Sequence, residues 1–163
     1  MKKEKNSSSQ AFRLFAVDPG KNGAIAALHP DGEVSVVNMP DTAMDVIAYF
    51  REQSMPGDIC YMEEVHGMPG QSGTAMFNFG KNFGVLVAAV LAAGVRLVLV
   101  RPQQWQKLFS VGSVNITTSP AEKKREHKRK LKERAQQLFP DKKVTLLNSD
   151  ALLILYYAKK KEN

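Results

Sequence analysis

The chain has 163 residues, 44% of them hydrophobic and 24% charged, which is enough for one domain with a complete core and too few for two. A formal net charge of +7 and a pI near 9.5 point to a polyanionic partner, nucleic acid first. The single cysteine, Cys60, excludes a disulfide framework and a cysteine-based zinc site.

Residues 1–10 are polar and lack an apolar signal core, so they read as a disordered tail before a single domain over 11–163. Segments 12–17 and 24–28 form a hairpin pair around Asp18-Pro19-Gly20. Proline fixes the backbone there and glycine permits the reversal, so the acid is held on a rigid turn. Segment 33–39 alternates as a third antiparallel strand. Asp41 or Thr42 caps a helix to about Gln53, whose apolar face is Met44, Ile47, Ala48 and Phe50. Segment 59–65 returns as a strand carrying Cys60 as a small buried hydrophobe, and a glycine-rich loop, 66–73, follows.

A long helix is expected over 74–93, with Met76, Phe79, Phe83, Val87, Val90 and Leu91 at helical spacing. Its apolar run 85–93 is too short to span a bilayer, and the expectation is a cytoplasmic protein with no membrane partner. Gly80 and Gly84 cost helical stability, which implies that another backbone approaches them. Segment 95–100 suits a buried parallel strand, and Pro102 starts a short helix anchored by Trp105. A polar loop at 110–120, a charged helix at 121–139, a short edge strand at 144–146 and a closing helix at 149–160 complete the chain. This order predicts an α/β fold: a mixed sheet, three antiparallel strands then parallel strands, with helices on both faces.

Three acids fall at comparable places: Asp18 at one strand end, Glu63 or Glu64 at another, and Asp150 in the first turn of the last helix. Strand alternation turns only one of Glu63 and Glu64 inward, and Asp150 alone would be explained by the helix dipole. Clustered carboxylates need a compensating cation, and oxygen ligands without histidine or cysteine select magnesium or manganese. Two such ions about 4 Å apart would suit metal-assisted phosphodiester hydrolysis. Segment 123–134 carries more cations than pairing with Glu126 needs, so phosphate contact is expected, with Lys124 and Lys128 the candidates for reaching the scissile phosphate. Met68 in the glycine-rich loop is a candidate wedge between bases; Phe77 is the competing one, with core packing as its plainer role.

The stretch Tyr61-Met62-Glu63-Glu64-Val65-His66-Gly67-Met68-Pro69-Gly70-Gln71, followed by Phe77-Asn78-Phe79-Gly80-Lys81, closely resembles phage-type members of the RuvC-like Holliday junction resolvases. Asp18-Pro19-Gly20 with Gly23, Arg101-Pro102-Gln103-Gln104-Trp105 and Ser149-Asp150-Ala151-Leu152-Leu153-Ile154 fit the same pattern, so the resemblance spans roughly residues 12–158. It implies an RNase H-like fold with a five-stranded sheet and a site with two Mg2+ ions, for which Mn2+ could substitute. It also implies hydrolysis of DNA strands at branched junctions. By position it selects Glu63 over Glu64, with Asp18 as the first acid and Asp150 as the last. The pattern departs in one place. Another acid or histidine usually stands three to five residues before the final aspartate, where this chain has Thr145, Leu146 and Leu147, with Asn148 the nearest polar substitute.

A two-fold junction cut symmetrically calls for a C2 homodimer, and the helix with Gly80 and Gly84 is the surface expected to form it. Two alternatives remain: a DNA-binding module of the same fold without catalysis, and an actin-like or sugar-kinase-type nucleotide binder. The second would need another such turn and a longer chain.

Overall fold

A computed structural model describes residues 12–67, 70–109 and 119–163. The expected tail at 1–10, Met68 and most of the 110–120 loop lie outside the described residues. Strands β1 (Leu14–Asp18), β2 (Ala24–Leu28) and β3 (Val34–Asn38) form an antiparallel meander. Helix α1 (Ala43–Gln53) then leads into β4 (Ile59–Glu63), which lies parallel to β1. Helix α2 (Gly73–Ala92) leads in turn to β5 (Arg96–Val100), parallel to β4, giving the order β3-β2-β1-β4-β5. Helices α3 (Pro102–Gln106), α4 (Pro120–Leu138) and α5 (Ser149–Glu162) complete the fold. The mixed five-stranded sheet with helices on both faces is the architecture expected from sequence.

Alternation along the strands sorts the core into two layers. Leu14, Ala16, Ala24, Ala26, Ile59 and Tyr61 face α5 and α4, where they meet Leu131, Ala135 and the run Ala151–Leu155. Phe15, Val17, Ile25, Ala27, Cys60 and Met62 face the other way, toward Val46 and Phe50 of α1 and Leu86, Ala89 and Val90 of α2. Fully burying a side chain such as Phe15 or Leu152 stabilises the fold by roughly 1.5–3 kcal/mol. Thr42 caps α1 by accepting from the Asp45 amide at 3.1 Å.

Four local expectations are corrected. Residues 144–146 form no strand, because side chains satisfy their backbone: the Val144 amide donates to Gln136 Oε1 at 3.3 Å and the Thr145 amide to Asn148 Oδ1 at 2.8 Å. Met44 and Ile47 of α1 are exposed, and Val46 with Phe50 forms its buried face instead. In α2, Leu91 is exposed and Leu86 takes the core position. Finally, among the described residues nothing beyond the helix itself comes within 4 Å of where a side chain at Gly80 or Gly84 would begin.

By length and composition α2 could cross a bilayer, which the estimate from residues 85–93 missed because Met76, Phe77, Phe79 and Phe83 extend the apolar stretch. Yet Leu86, Ala89 and Val90 tie it to the sheet.

Candidate active site

Parity of the strands decides where the acids point. Val17 is level with Met62 in the parallel pair β1–β4, so Asp18 and Glu63 are the next residues of the same register. Both continue the alternation of Leu14, Ala16, Ile59 and Tyr61, and both therefore turn to the α5 face of the sheet. Asp150, in the first turn of α5, stands on that face and is buried. Asp18, Glu63 and Asp150 thus share one end and one side of the sheet.

The turn that carries Asp18 is sterically specified. A side chain at Gly23 would begin 1.9 Å from the Asp18 carbonyl oxygen, so only glycine fits. Gly20 has φ of +115°, and the Phe79 ring of α2 lies 3.1 Å from where its Cβ would stand. The turn is fixed from below by its own backbone and from above by α2.

Glu63 is oriented by a residue whose role the sequence reading left as a helix anchor. Because Glu63 is level with Val100, α3 begins beside it, and the fully buried Trp105 donates its indole N–H to Glu63 Oε2 at 2.7 Å. The signal was present in the sequence: a buried tryptophan needs an acceptor for its single donor. Glu64 goes elsewhere. Its carboxylate accepts from Arg101 Nε at 3.3 Å and lies 3.6 Å from His66 Nε2, on the outer rim.

Electrostatics ties the three acids together. Burial raises Asp18 well above the usual aspartate range, and repulsion from Asp150 and Glu63 adds to it, while Lys128 opposes. Burial likewise raises Glu63, against the Trp105 hydrogen bond and Lys128. Lys128, on α4, is the cation in their midst. Burial alone would lower its pKa, but the attraction and hydrogen bond of Asp150, then Asp18 and Glu63, outweigh burial and raise it. Its ammonium donates to Asp150 Oδ2.

The donor set suits a hard divalent cation. Asp150 Oδ1 is buried with no hydrogen-bond partner, an uncompensated oxygen of the kind a hard cation would satisfy. As placed, the acids share a neighbourhood without closing a cage: among the described residues no group of three His, Cys, Asp or Glu is set to hold an ion. Asn148 does not supply the missing ligand. Its Oδ1 accepts from the Thr145 amide at 2.8 Å and its Nδ2 donates to the Lys143 carbonyl at 3.2 Å, so both ends serve the turn before α5.

Among the DNA-contact candidates, Lys124 is exposed on α4 one turn before Lys128. Among the described residues no carboxylate pairs with Lys123, Lys124, Arg125 or Lys132, whereas Arg129 is held between Glu126 and Glu133. Phe77 is 72% exposed in the first turn of α2, so core packing is not its role. His127 meets Gln106 at 3.3 Å and His66 meets Glu64, which leaves both histidines outside the acid cluster.

No family model matches the chain, and no curated protein matches its sequence. Solved structures do match. T. thermophilus RuvC in complex with a Holliday junction substrate is 14% identical, with a TM-score of 0.56, over 91% of this chain and 96% of that one. A second Thermus thermophilus RuvC structure is 16% identical, with a TM-score of 0.53, over 92% and 97%. The chain has the RNase H-like fold of RuvC along nearly its whole length.

Proposed function

We propose that the chain is a metal-dependent nuclease that hydrolyses DNA strands at branched structures, Holliday junctions among them. The observation that carries this reading is the convergence of Asp18, Glu63 and Asp150 at one end of an RNase H-like sheet, with Asp150 Oδ1 unpartnered and a basic helix alongside. The RuvC neighbour bound to a junction supports the choice of substrate. Asp18, Glu63 and Asp150 would hold Mg2+ or Mn2+, which when bound supplies an activated water and stabilises the leaving oxygen. Trp105 holds Glu63 in its orientation. Lys128 faces the phosphate from the α4 side, and Lys124 with its unpaired neighbours tracks the strand. Such contacts make binding fall steeply with salt. Phe77 and Met68 are the apolar residues offered to the branch point.

The same reading includes a homodimer built on α2. Gly80, Gly84, Ala88 and Leu91 recur at helical spacing and are all exposed, an apolar and small-residue stripe that another α2 could meet closely. Two sites related by a two-fold axis would cut two strands of a symmetric junction.

A second reading has one observation in its favour. With the Asn148 amide engaged in its turn, no fourth oxygen ligand stands before Asp150, as expected if the chain binds junctions without cutting them. Incubating the protein with a four-way junction and Mg2+ or Mn2+ separates the two. Cleavage by the wild type, with binding but no cleavage by Asp18→Asn, supports the nuclease. Binding without cleavage by both, under either metal, overturns it in favour of the inert module. Binding of ATP and no DNA would favour the nucleotide binder.

A further inference from the structure

We infer that the ammonium of Lys128 takes the place of one of the two cations, so that the acid cluster works with a single divalent ion. This rests on the nuclease reading above and narrows its metal requirement from the expected pair.

Two independent observations carry it. The first is where Lys128 lies. It reaches from α4 into the cluster, donates to Asp150 Oδ2, and interacts with Asp18 and Glu63 as well. Its side chain is 42% exposed, while that of Asp150 is 5% exposed, so the charged end is drawn inward along a stem that still opens to solvent. The second is what the opposite side of Asp150 lacks. A second ion would need oxygen ligands from the turn before α5. There, Leu146 and Leu147 have no side-chain oxygen, and Thr145 Oγ1 and Asn148 Oδ1 already accept from the Leu147 amide at 3.2 Å and the Thr145 amide at 2.8 Å.

Charge leads to the same count. Three carboxylates less one ammonium leave two negative charges, which one divalent ion cancels. A second ion would leave the site as positive as it had been negative, with no carboxylate or histidine in the turn before α5 to hold it. The two oxygens of Asp150 divide accordingly: Oδ2 is satisfied by Lys128, and Oδ1 remains for the ion. Fixed on a helix, the ammonium supplies at one edge of the site the positive charge that a mobile ion would otherwise bring.

The test counts ions instead of measuring turnover. Mn2+ is titrated into the metal-free protein by calorimetry, with free Mn2+ followed by paramagnetic resonance. The wild type is expected to bind one Mn2+ per chain, lost in Asp18→Asn. Both Lys128→Met and Lys128→Gln are expected to bind Mn2+ about tenfold more tightly or better, since a like charge has left the site. Lys124→Met, one turn away, is expected to change the affinity less than about twofold, because an exposed charge is screened. Two ions per wild-type chain overturn the inference while leaving the nuclease reading intact, and that count needs no variant to fold. Unchanged affinity in both Lys128 variants, or an equal gain in Lys124→Met, also overturns it. Absence of any site sensitive to Asp18→Asn overturns the nuclease reading and this inference together.

Discussion

The two faces of the sheet are covered by apolar helices with very different fates. On one face, α5 is buried from Ser149 through Leu155, enclosed between the sheet and α4. On the other, α2 is longer and richer in apolar residues, yet only Leu86, Ala89 and Val90 are buried, and Phe77 and Leu91 face outward. Hydrophobicity therefore does not say which helix lies inside. What separates them is cover: α4 closes over α5, while α2 is an outer layer with an uncovered stripe. The closed face carries the acids, and the open face carries the surface proposed for a second copy.

Four experiments bear on that contrast. The largest effect is expected from Asp18→Asn on the closed face. Losing a carboxylate of the proposed metal site should cost about 4 kcal/mol of barrier, or about a thousandfold in junction cleavage, with oligomeric state unchanged by sedimentation. On the open face, Gly84→Glu places a charge in the centre of the stripe. Dimer dissociation should become about a hundredfold easier, because the charge would have to be buried without a partner. A dimer of unaltered strength would move the interface off α2.

Trp105→Phe keeps an aromatic ring in the core but removes the donor to Glu63. Cleavage should fall about 10–100-fold with junction affinity preserved, the usual range for a residue that orients a ligand from behind. Loss of affinity in step with cleavage would instead mean that the indole contacts DNA. The smallest effect is in metal-free stability against pH. The folded-state pKa of Asp18 is raised above its unfolded value near 3.8, so its contribution is fully present below that value. It is lost as pH rises through the raised pKa. The melting temperature of the wild type should therefore decline relative to Asp18→Asn as pH rises above about 4, and saturating Mn2+ should reduce the difference.

Much of this architecture was legible in the sequence because it depends on local chemistry. Turn residues such as Pro19-Gly20, caps such as Thr42 and the apolar runs of β1 and β4 set the strands, while the choice between Glu63 and Glu64 needed more than alternation. The preference for Glu63 over Glu64 comes from resemblance; in the structure Glu63 shares the parity of Ile59 and Tyr61, and Glu64 accepts from Arg101 on the rim. What could not be read depends on contacts between distant segments. Whether Leu86 or Leu91 is buried depends on how far α2 rolls against the sheet. The 144–146 segment looked like a strand by composition, but its amides found side-chain acceptors in Gln136 and Asn148. Lys128 is one of two candidates in the cationic run, and docking α4 over α5 separates it from Lys124 by placing its ammonium on Asp150.

The Phe79 ring resting on Gly20 has a mechanical meaning. A residue of α2, the helix whose outer side is open, lies against the loop that carries Asp18, in addition to the packing of Leu86, Ala89 and Val90 on the sheet. Close-packed interiors transmit displacement rather than absorb it. Phe79 thus links the α2 layer directly to the loop that holds Asp18.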